Sequence, residues 1–443
     1  MIESIGDWKR THYSKEISPD FKGEVIVMGW ARAIRGVGNI KFIQLADREG
    51  YVQILAKKGD VSDELLEKVS SLNREDVIAV KGKVKENKEA PNGFEIIPTE
   101  IRILNTAEPI PIDFSGKIET GMSKRIDYRY LDTRNPKRLL TFKILSTVEM
   151  AMKIYCFENG FMEINTPKLM SAASESGAEL FNVDYFGKIA HLAQSPQLYK
   201  QMAMAAGFEK VFEQGPVFRA NPSHTSKHDT EYTSFDVEIA YISSVEDVMK
   251  FEEDWLVYVI TKVKESHGKD IKEHFGFEIE IPTRPFPRIT MEEAHNAIGN
   301  LEVADDFGEL DTEGEKKLGD YVKEKFNHDF VFLTEFPFSA RPFYHMKKED
   351  NKKLTNSFDL IYKGMEITTG AQREHRYDIL LEQLKEKKLH PKDLKFYLDM
   401  FRYGCPPHGG FALSPTRVVM QLLNISNIRD VTFLPRDTER LTP

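Results

Sequence analysis

Cysteine is nearly missing from this chain: residues 156 and 405 are the only two in 443. Two thiols make no disulfide framework and no zinc site of the usual kind, which sets aside small stapled secreted folds and zinc modules. Cys156 and Cys405 read instead as inert core thiols in a reducing cytoplasm. No run of roughly 18 apolar residues occurs, so no membrane span is expected. The opening MIESIGDWKRTHYSKE lacks the apolar stretch of a secretory signal. Repeats and low-complexity tracts are lacking as well. Positive charge is also in deficit, with Lys+Arg 61 against Asp+Glu 70 and a formal net charge of −9. That excludes non-specific coating of nucleic acid by bulk charge, but not a nucleic acid held through local patches. The first 106 residues are less acidic than the remainder.

What is present is an ordinary globular composition, 41% hydrophobic and 30% charged, in a chain too long for one core. Two or three domains are expected. Residues 22–105 hold five short strand-like runs, GEVIVMGWARAI, IKFIQLAD, YVQILAK, DVIAVKGKVKEN and GFEIIPTEIRIL, with one helical stretch, SDELLEKVSSL. This pattern suggests a small Greek-key barrel of the OB type over 1–106, with a small β-sandwich as the alternative. The segment AEPIPIDF opens a hinge, 107–135. Helical periodicity over 136–158 ends at Asn159-Gly160. From there to 443, strands and helices alternate irregularly with antiparallel hairpins, which favours an α+β domain on a large antiparallel sheet, 136–443. Residues 243–275 and 311–327 read as charged outer helices.

Four constellations carry chemistry. In VFRANPSHTSKHDTEYTSFDVEIAY, residues 217–241, Arg219 ends an apolar run. A loop with His224, Lys227 and His228 follows, and then a strand in which Ser234, Asp236 and Glu238 alternate with Phe235, Val237 and Ile239. Arg219 suits a phosphate, because a guanidinium grips two oxygens at once. Asp236 and Glu238 are expected near it, as metal ligands or as its counter-charge; a solvated hairpin with surface ion pairs is the alternative. In PPHGGFALSPTRVVMQLL, residues 406–423, Ser414 reads as a helix N-cap with Pro415 at the first helical position. Arg417 then falls in the first turn, where the helix dipole disfavours a cation. An anionic ligand explains it, or a neighbouring acid. In FDLIYKGMEITTGAQREHR, residues 358–376, Glu366 and Thr369 offer oxygen ligands suited to Mg²⁺. Gly370 reads as a turn and Arg373 as a carboxylate grip, although REHR alone usually marks a solvated helix start. In residues 171–211, Gln194, Ser195, Gln197 and Lys200 gather at the start of an apolar helix; surface solvation is the alternative for Lys200.

Order and joint occurrence are more specific than any one signal. The chain resembles the class II aminoacyl-tRNA synthetases of the aspartyl type, in their compact archaeal form. GFMEINTPKL is similar to motif 1, with Pro167 at a homodimer interface. VFRANPSHTSKHDTEYTSFDVE is similar to motif 2, GGFALSPTR to motif 3, and RDVTFLPRDTERLTP to the family's C-terminus. The resemblance implies an anticodon-binding OB barrel and an antiparallel-sheet catalytic domain. It implies that Arg219 holds the α-phosphate of ATP and Arg417 the γ-phosphate, assisted by Lys227 and His228. Glu366 and Thr369 would bind Mg²⁺. Lys200 and Arg373 would hold the aspartate side chain, and Glu175, Ser195 and Gln197 would line the pocket for its ammonium. Phe42 would stack on the middle anticodon base, with Gln53 and Glu95 reading bases. The implied activity is an aspartate–tRNA ligase acting on tRNA-Asp, with tRNA-Asn as a second candidate substrate; Pro91 beside Glu95 favours that relaxed choice. Aspartate would be preferred over asparagine because two buried cations need a charged partner.

The motifs also depart from the family pattern. Asn221 replaces an acid and Lys227 an arginine. Ala412, Ser414 and Thr416 replace two glycines and an acid in motif 3, and Glu175-Ser176-Gly177 stands where paired glycines are usual. These changes leave open a specialised paralogue that binds tRNA or forms adenylate without efficient charging; an asparagine–tRNA ligase is a separate alternative, against which Lys200 argues.

Overall fold

The computed structural model describes residues 2–115, 118–171, 179–222, 225–299 and 309–443. The chain divides into two compact units, Met1–Leu139 and Leu140–Pro443. The earlier segment 107–135 falls within the first unit and carries helices of its own, described below.

In the first unit, five strands among the described residues close a barrel. They are β1 (Glu24–Val37), β2 (Ile40–Ala46), β3 (Tyr51–Lys57), β4 (Val77–Glu86) and β5 (Phe94–Asn105), in the order β1-β2-β3-β5-β4. Closure decides against a sandwich. Alternation explains the barrel: Val25, Val27, Ile43, Ile54, Ile78, Val80 and Ile96 point inward and form one core. Helix α1 (Asp63–Ser70) joins β3 to β4 and starts at Ser62, whose side chain accepts the Leu65 N–H at 3.1 Å. Two short helices follow, α2 (Met122–Asp127) and α3 (Arg129–Asp132). Then α4 (Pro136–Glu158) runs from the first unit into the second.

The second unit is built on an eight-stranded sheet among the described residues. Its strands are β6 (Met162–Glu163), β10 (Lys210–Phe218), β11 (Glu231–Ala240), β12 (Arg288–Thr290), β13 (Phe330–Thr334), β14 (Ser357–Tyr362), β15 (Met365–Gln372) and β16 (His408–Leu413). They lie in the order β12-β13-β14-β15-β16-β11-β10-β6, antiparallel except for the two edge pairs. A three-stranded sheet of β7 (Leu169–Met170), β8 (Asn182–Tyr185) and β9 (Lys188–Leu192) accompanies it.

One face of the large sheet is apolar. Phe212, Phe235, Val237, Phe358, Leu360, Phe411 and Leu413 pack there against α4, α6 (Val245–Phe275) and α11 (Pro415–Leu422). Helix α6 is therefore no outer helix. Val248, Trp255, Leu256, Val259 and Val263 bury one side of it, and the Trp255 indole donates to Met152 O at 3.1 Å. Gly370 makes no turn either. It sits inside β15, where a Cβ would strike the Phe358 ring at 2.2 Å, so glycine there makes room in the core.

The opposite face is covered in part by two clusters. One gathers α5 (Gln197–Ala205), α9 (Tyr377–Glu386) and α10 (Lys395–Arg402). The other gathers α7 (Met291–Ala297) and α8 (Thr312–Phe326). Strand β14 and the middle of β11 are buried on both faces, so Asp236, Glu238 and Asp359 are not at a solvated surface, whereas Glu366 and Thr369 of β15 are partly exposed. Those residues make the floor of the site.

Candidate active site

Cross-strand register places the polar residues in rows. Asp236, Ala412, Thr369 and Asp359 are successive partners across β11, β16, β15 and β14. Glu238, Gly410, Ala371 and Ser357 form the next row. A side chain at Gly410 has no room: a Cβ would lie 2.0 Å from Val237 O and 2.4 Å from Glu238 Oε2.

Asp236 and Glu238 do not serve Arg219. They lie well inside the hairpin, opposite Glu213 and Val211, whereas Arg219 follows Phe218 at its loop end. Their partners are Lys200 and Arg373. Lys200 Nζ donates to Asp236 Oδ1 and Phe411 O, both at 3.1 Å, and lies 3.4 Å from Glu238 Oε2. Arg373 donates from Nε to Glu238 Oε1 at 3.0 Å and from Nη2 to Gly410 O at 2.9 Å. Lys200 is 1% exposed and Arg373 2%, so neither is a solvated helix residue. Burial alone would raise the Glu238 carboxyl; Arg373 and Lys200 hold it below its usual value.

Donor accounting then separates the two cations. The three N–H of Lys200 are taken by the sheet. Arg373 has five, and four are engaged: besides the two above, Nη2 donates to Glu238 Oε2 at 3.4 Å and Nη1 to His345 Nε2 at 3.1 Å. An arginine cannot accept, so His345 must present a lone pair there and is neutral. Burial and the Arg373 charge lower its basicity well below the ordinary value in agreement. The expected need of two bare cations for a charged substrate is thus overturned, because Asp236 and Glu238 already balance them. Nor is REHR solvated: Glu374 is fully buried and pairs with Arg376, the residue that precedes α9.

Ser195 and Gln197 are buried at the start of α5. Gln197 Nε2 donates to Gln201 Oε1 at 2.9 Å, Tyr397 Oη donates to the same oxygen at 3.0 Å, and Gln201 Nε2 meets His408 Nε2 at 2.9 Å. Sequence reasoning missed this buried layer, because Gln201, Tyr397 and His408 come from three separate elements. Glu175 and His224 lie outside the described residues.

The second end of the site gathers around His228. Burial lowers its basicity to about 4; of the charges around it, Arg417, Lys227 and Arg219 act in the same sense and Glu366 opposes them. All four expected nucleotide residues, Arg219, Lys227, Glu366 and Arg417, thus act electrostatically on one ring. Arg219 follows β10, its N–H donating to Thr230 O at 2.9 Å, with its guanidinium 5.9 Å from the Tyr232 ring. Arg417 enters from α11. Ser414 caps that helix by accepting the Arg417 N–H at 3.4 Å, and its hydroxyl meets Thr416 Oγ1 at 2.9 Å. The Ser414 side chain is thus tied into the cap. Arg417 Nη1 donates to Glu366 O at 3.0 Å and lies 3.6 Å from Glu366 Oε1. The neighbouring acid entertained for it is the same residue expected to hold metal. Thr369 Oγ1 lies 3.3 Å from Glu366 Oε1. This all-oxygen pair, facing Asp359 across the sheet, has the donor chemistry of a hard divalent cation. Asp359 itself accepts from Arg341 at 2.6 Å. Lys227 pairs with Glu315 of α8 at 2.6 Å, a contact that the sequence did not signal.

In the barrel, Phe42, Gln53 and Glu95 share the outward face of β2, β3 and β5. Ile43, Ile54 and Ile96 alternate with them into the core. Glu95 Oε2 accepts from Asn87 Nδ2 at 3.1 Å and from Gln53 Nε2 at 3.5 Å, so the carboxylate is held in place. Pro91 is exposed in the adjoining loop.

Comparison with known proteins matches two stretches of the chain. Residues 121–438 match the class II tRNA synthetases (D, K and N), and residues 25–104 match the OB-fold nucleic acid binding domain. The chain belongs to the class II tRNA synthetases and is an aminoacyl-tRNA ligase. It is 47% identical to an aspartate–tRNA(Asp) ligase of Pyrococcus furiosus, over 98% of this chain and 100% of that one. It is 45% identical to an aspartate–tRNA(Asp/Asn) ligase of Methanocaldococcus jannaschii, over 98% of this chain and 99% of the relative. Among solved structures, asparaginyl-tRNA synthetase from Pyrococcus horikoshii complexed with asparaginyl-adenylate superposes with a TM-score of 0.91 at 32% identity, covering 98% of this chain and 100% of that chain.

Proposed function

We propose that the chain is an aspartate–tRNA ligase, acting in the cytoplasm as a homodimer. One observation carries the reading. A single sheet carries both a buried, charge-balanced carboxylate site, Lys200–Asp236–Glu238–Arg373, and a second end where the charges of Arg219, Lys227 and Arg417 all act on His228.

In this reading the α-carboxylate of L-aspartate attacks the α-phosphorus of ATP in line. Aspartyl-adenylate forms and pyrophosphate leaves. The terminal ribose hydroxyl of tRNA-Asp then attacks the adenylate carbonyl and AMP leaves. No protein nucleophile takes part, so the rate comes from positioning and charge stabilisation. Arg219 grips the α-phosphate, while Arg417 and Lys227 grip the γ-phosphate. His228 is neutral near pH 7 and assists as a hydrogen-bonding ring. Glu366 and Thr369 would hold Mg²⁺, which supplies charge neutralisation to the phosphates. Arg373 offers its remaining Nη1–H to the aspartate side chain, with Lys200 adding its charge from below. Gln197, whose Nε2 is committed to Gln201, offers its Oε1 to the ammonium beside Ser195.

Phe42, Gln53 and Glu95 take the anticodon. The exposed Pro91 beside Glu95 favours tRNA-Asn as a second substrate. The homodimer reading rests on Met150, Ile154 and Phe157, which line one side of α4 at helical spacing and are exposed, as is nearby Met162.

Aminoacylation of purified tRNA-Asp and tRNA-Asn, with aspartate and asparagine side by side, tests the assignment. Aspartate charged onto tRNA-Asp is the expected result. Preference for asparagine, or adenylate formed without transfer to either tRNA, overturns it in favour of one of the alternatives.

A further inference from the structure

Glu315 lies in the first turn of α8, beyond every motif singled out in the sequence. The helix meets the turn between β14 and β15 backbone to backbone. A Cβ on Gly319 would come within 2.6 Å of Gly364 N, and one on Gly364 within 2.9 Å of Lys316 Cα. That close approach sets Glu315 against the start of β15. Its carboxylate takes Lys227 Nζ as a partner at 2.6 Å, with Glu366 nearby. The Lys227 and Glu315 side chains are only 10% and 13% exposed. Burial and the nearby Glu366 raise the Glu315 carboxyl, and Lys227 works against both.

Lysine is a point charge on a flexible four-carbon stem, without the rigid fork of arginine. It needs a fixed counter-charge if it is to stand in one place. Glu315 supplies that, held in place by the close docking of α8 on the turn before β15. The pair occupies one of the three ammonium N–H of Lys227; no other acceptor for it is found among the described residues, so two remain for phosphate oxygens. We propose that Glu315 is a positioning residue for nucleotide binding: it holds the Lys227 ammonium at the phosphate site and ties the phosphate loop to the strand that carries Glu366. This rests on the reading of Lys227 and Glu366 as ATP-site residues.

The test is aspartate-dependent ATP–pyrophosphate exchange by the full-length enzyme. Glu315→Ala should raise the KM for MgATP about tenfold, the scale of one charge-assisted hydrogen bond, and leave the KM for aspartate nearly unchanged. Glu315→Gln keeps the size but not the charge, and should show the same direction if the alanine variant does not fold. In a Lys227→Ala background, Glu315→Ala should add almost nothing, because Glu315 acts through that lysine. The proposal is overturned if MgATP binding is unchanged or tighter in the Glu315 variants. It is equally overturned if the cost is the same with and without Lys227, or if aspartate binding weakens as much as MgATP binding. Lys227→Ala with an unaltered KM for MgATP would remove the underlying reading as well. A weakened Lys227→Ala beside normal Glu315 variants defeats the proposal alone.

Discussion

Lys200 shows how a side chain changes meaning once its surroundings are known. Read in one dimension it is a helix lysine aimed at a substrate carboxylate. Folded, it is the counter-ion of Asp236 and Glu238. Lys200→Met should therefore destabilise the protein by about 3–5 kcal/mol, because two buried carboxylates lose a cation. Urea unfolding measures this; a loss below about 1 kcal/mol would mean that water reaches those carboxylates. Glu252 behaves in the opposite way. It is fully buried on α6, and burial pushes its carboxyl up from 4.5 to about 8. Between those values the folded chain binds more protons than the unfolded one. The contribution of Glu252 to stability is therefore most favourable below about pH 4.5, falls as pH rises through that window and is lowest above about pH 8. Glu252→Gln should leave Tm unchanged near pH 5 and raise it by several degrees near pH 8.5, as thermal melts would show. Alternation alone put Asp236 and Glu238 on one face with Phe235 and Val237 on the other. It could not say which cations come down to meet them, because Lys200 and Arg373 arrive from a helix and a loop distant in sequence.

At the level of elements, the local rules held wherever local chemistry decides. Ser414 and Pro415 start α11 as capping chemistry requires, and Ser62 starts α1. They failed where packing decides. The charged face of α6 suggested an outer helix, yet its other side carries the core contacts of the sheet. Gly370 suggested a turn, yet the Phe358 ring requires it. The docking of α8 is likewise a packing result, invisible in TEGEKKLGDYV because Glu315 reads there as an ordinary first-turn acid. Gly319→Ala should push α8 away from Gly364, costing about 1–3 kcal/mol. It should also raise the KM for MgATP, since Glu315 rides on the same helix. Denaturant midpoints and pyrophosphate exchange read the two effects; full stability with an unchanged KM would show that the helix has slack.

For the molecule as a whole, the proposed function gives the anticodon to the first unit and the chemistry to the second. Phe42→Ala should weaken tRNA-Asp by about 1–3 kcal/mol, the usual worth of one stacked base, and leave aspartate-dependent pyrophosphate exchange intact. Aminoacylation compared with exchange separates the two; equal losses in both assays would place Phe42 in the fold of the barrel and not in recognition. The amino-acid order by itself determined the five short strands of the first unit, the antiparallel α+β character of the second and the helix caps, whereas closure of the barrel was decided by the tertiary structure. The strands, the α+β character and the caps follow from periodicity, turn chemistry and motif spacing, which act over a few residues. Only the tertiary structure decided that Lys200 and Arg373 are already neutralised, that His345 must be neutral, and that Glu315 stands beside Lys227. Such facts depend on which groups become neighbours after water is excluded, and charge balance in a buried site is a property of neighbours in space.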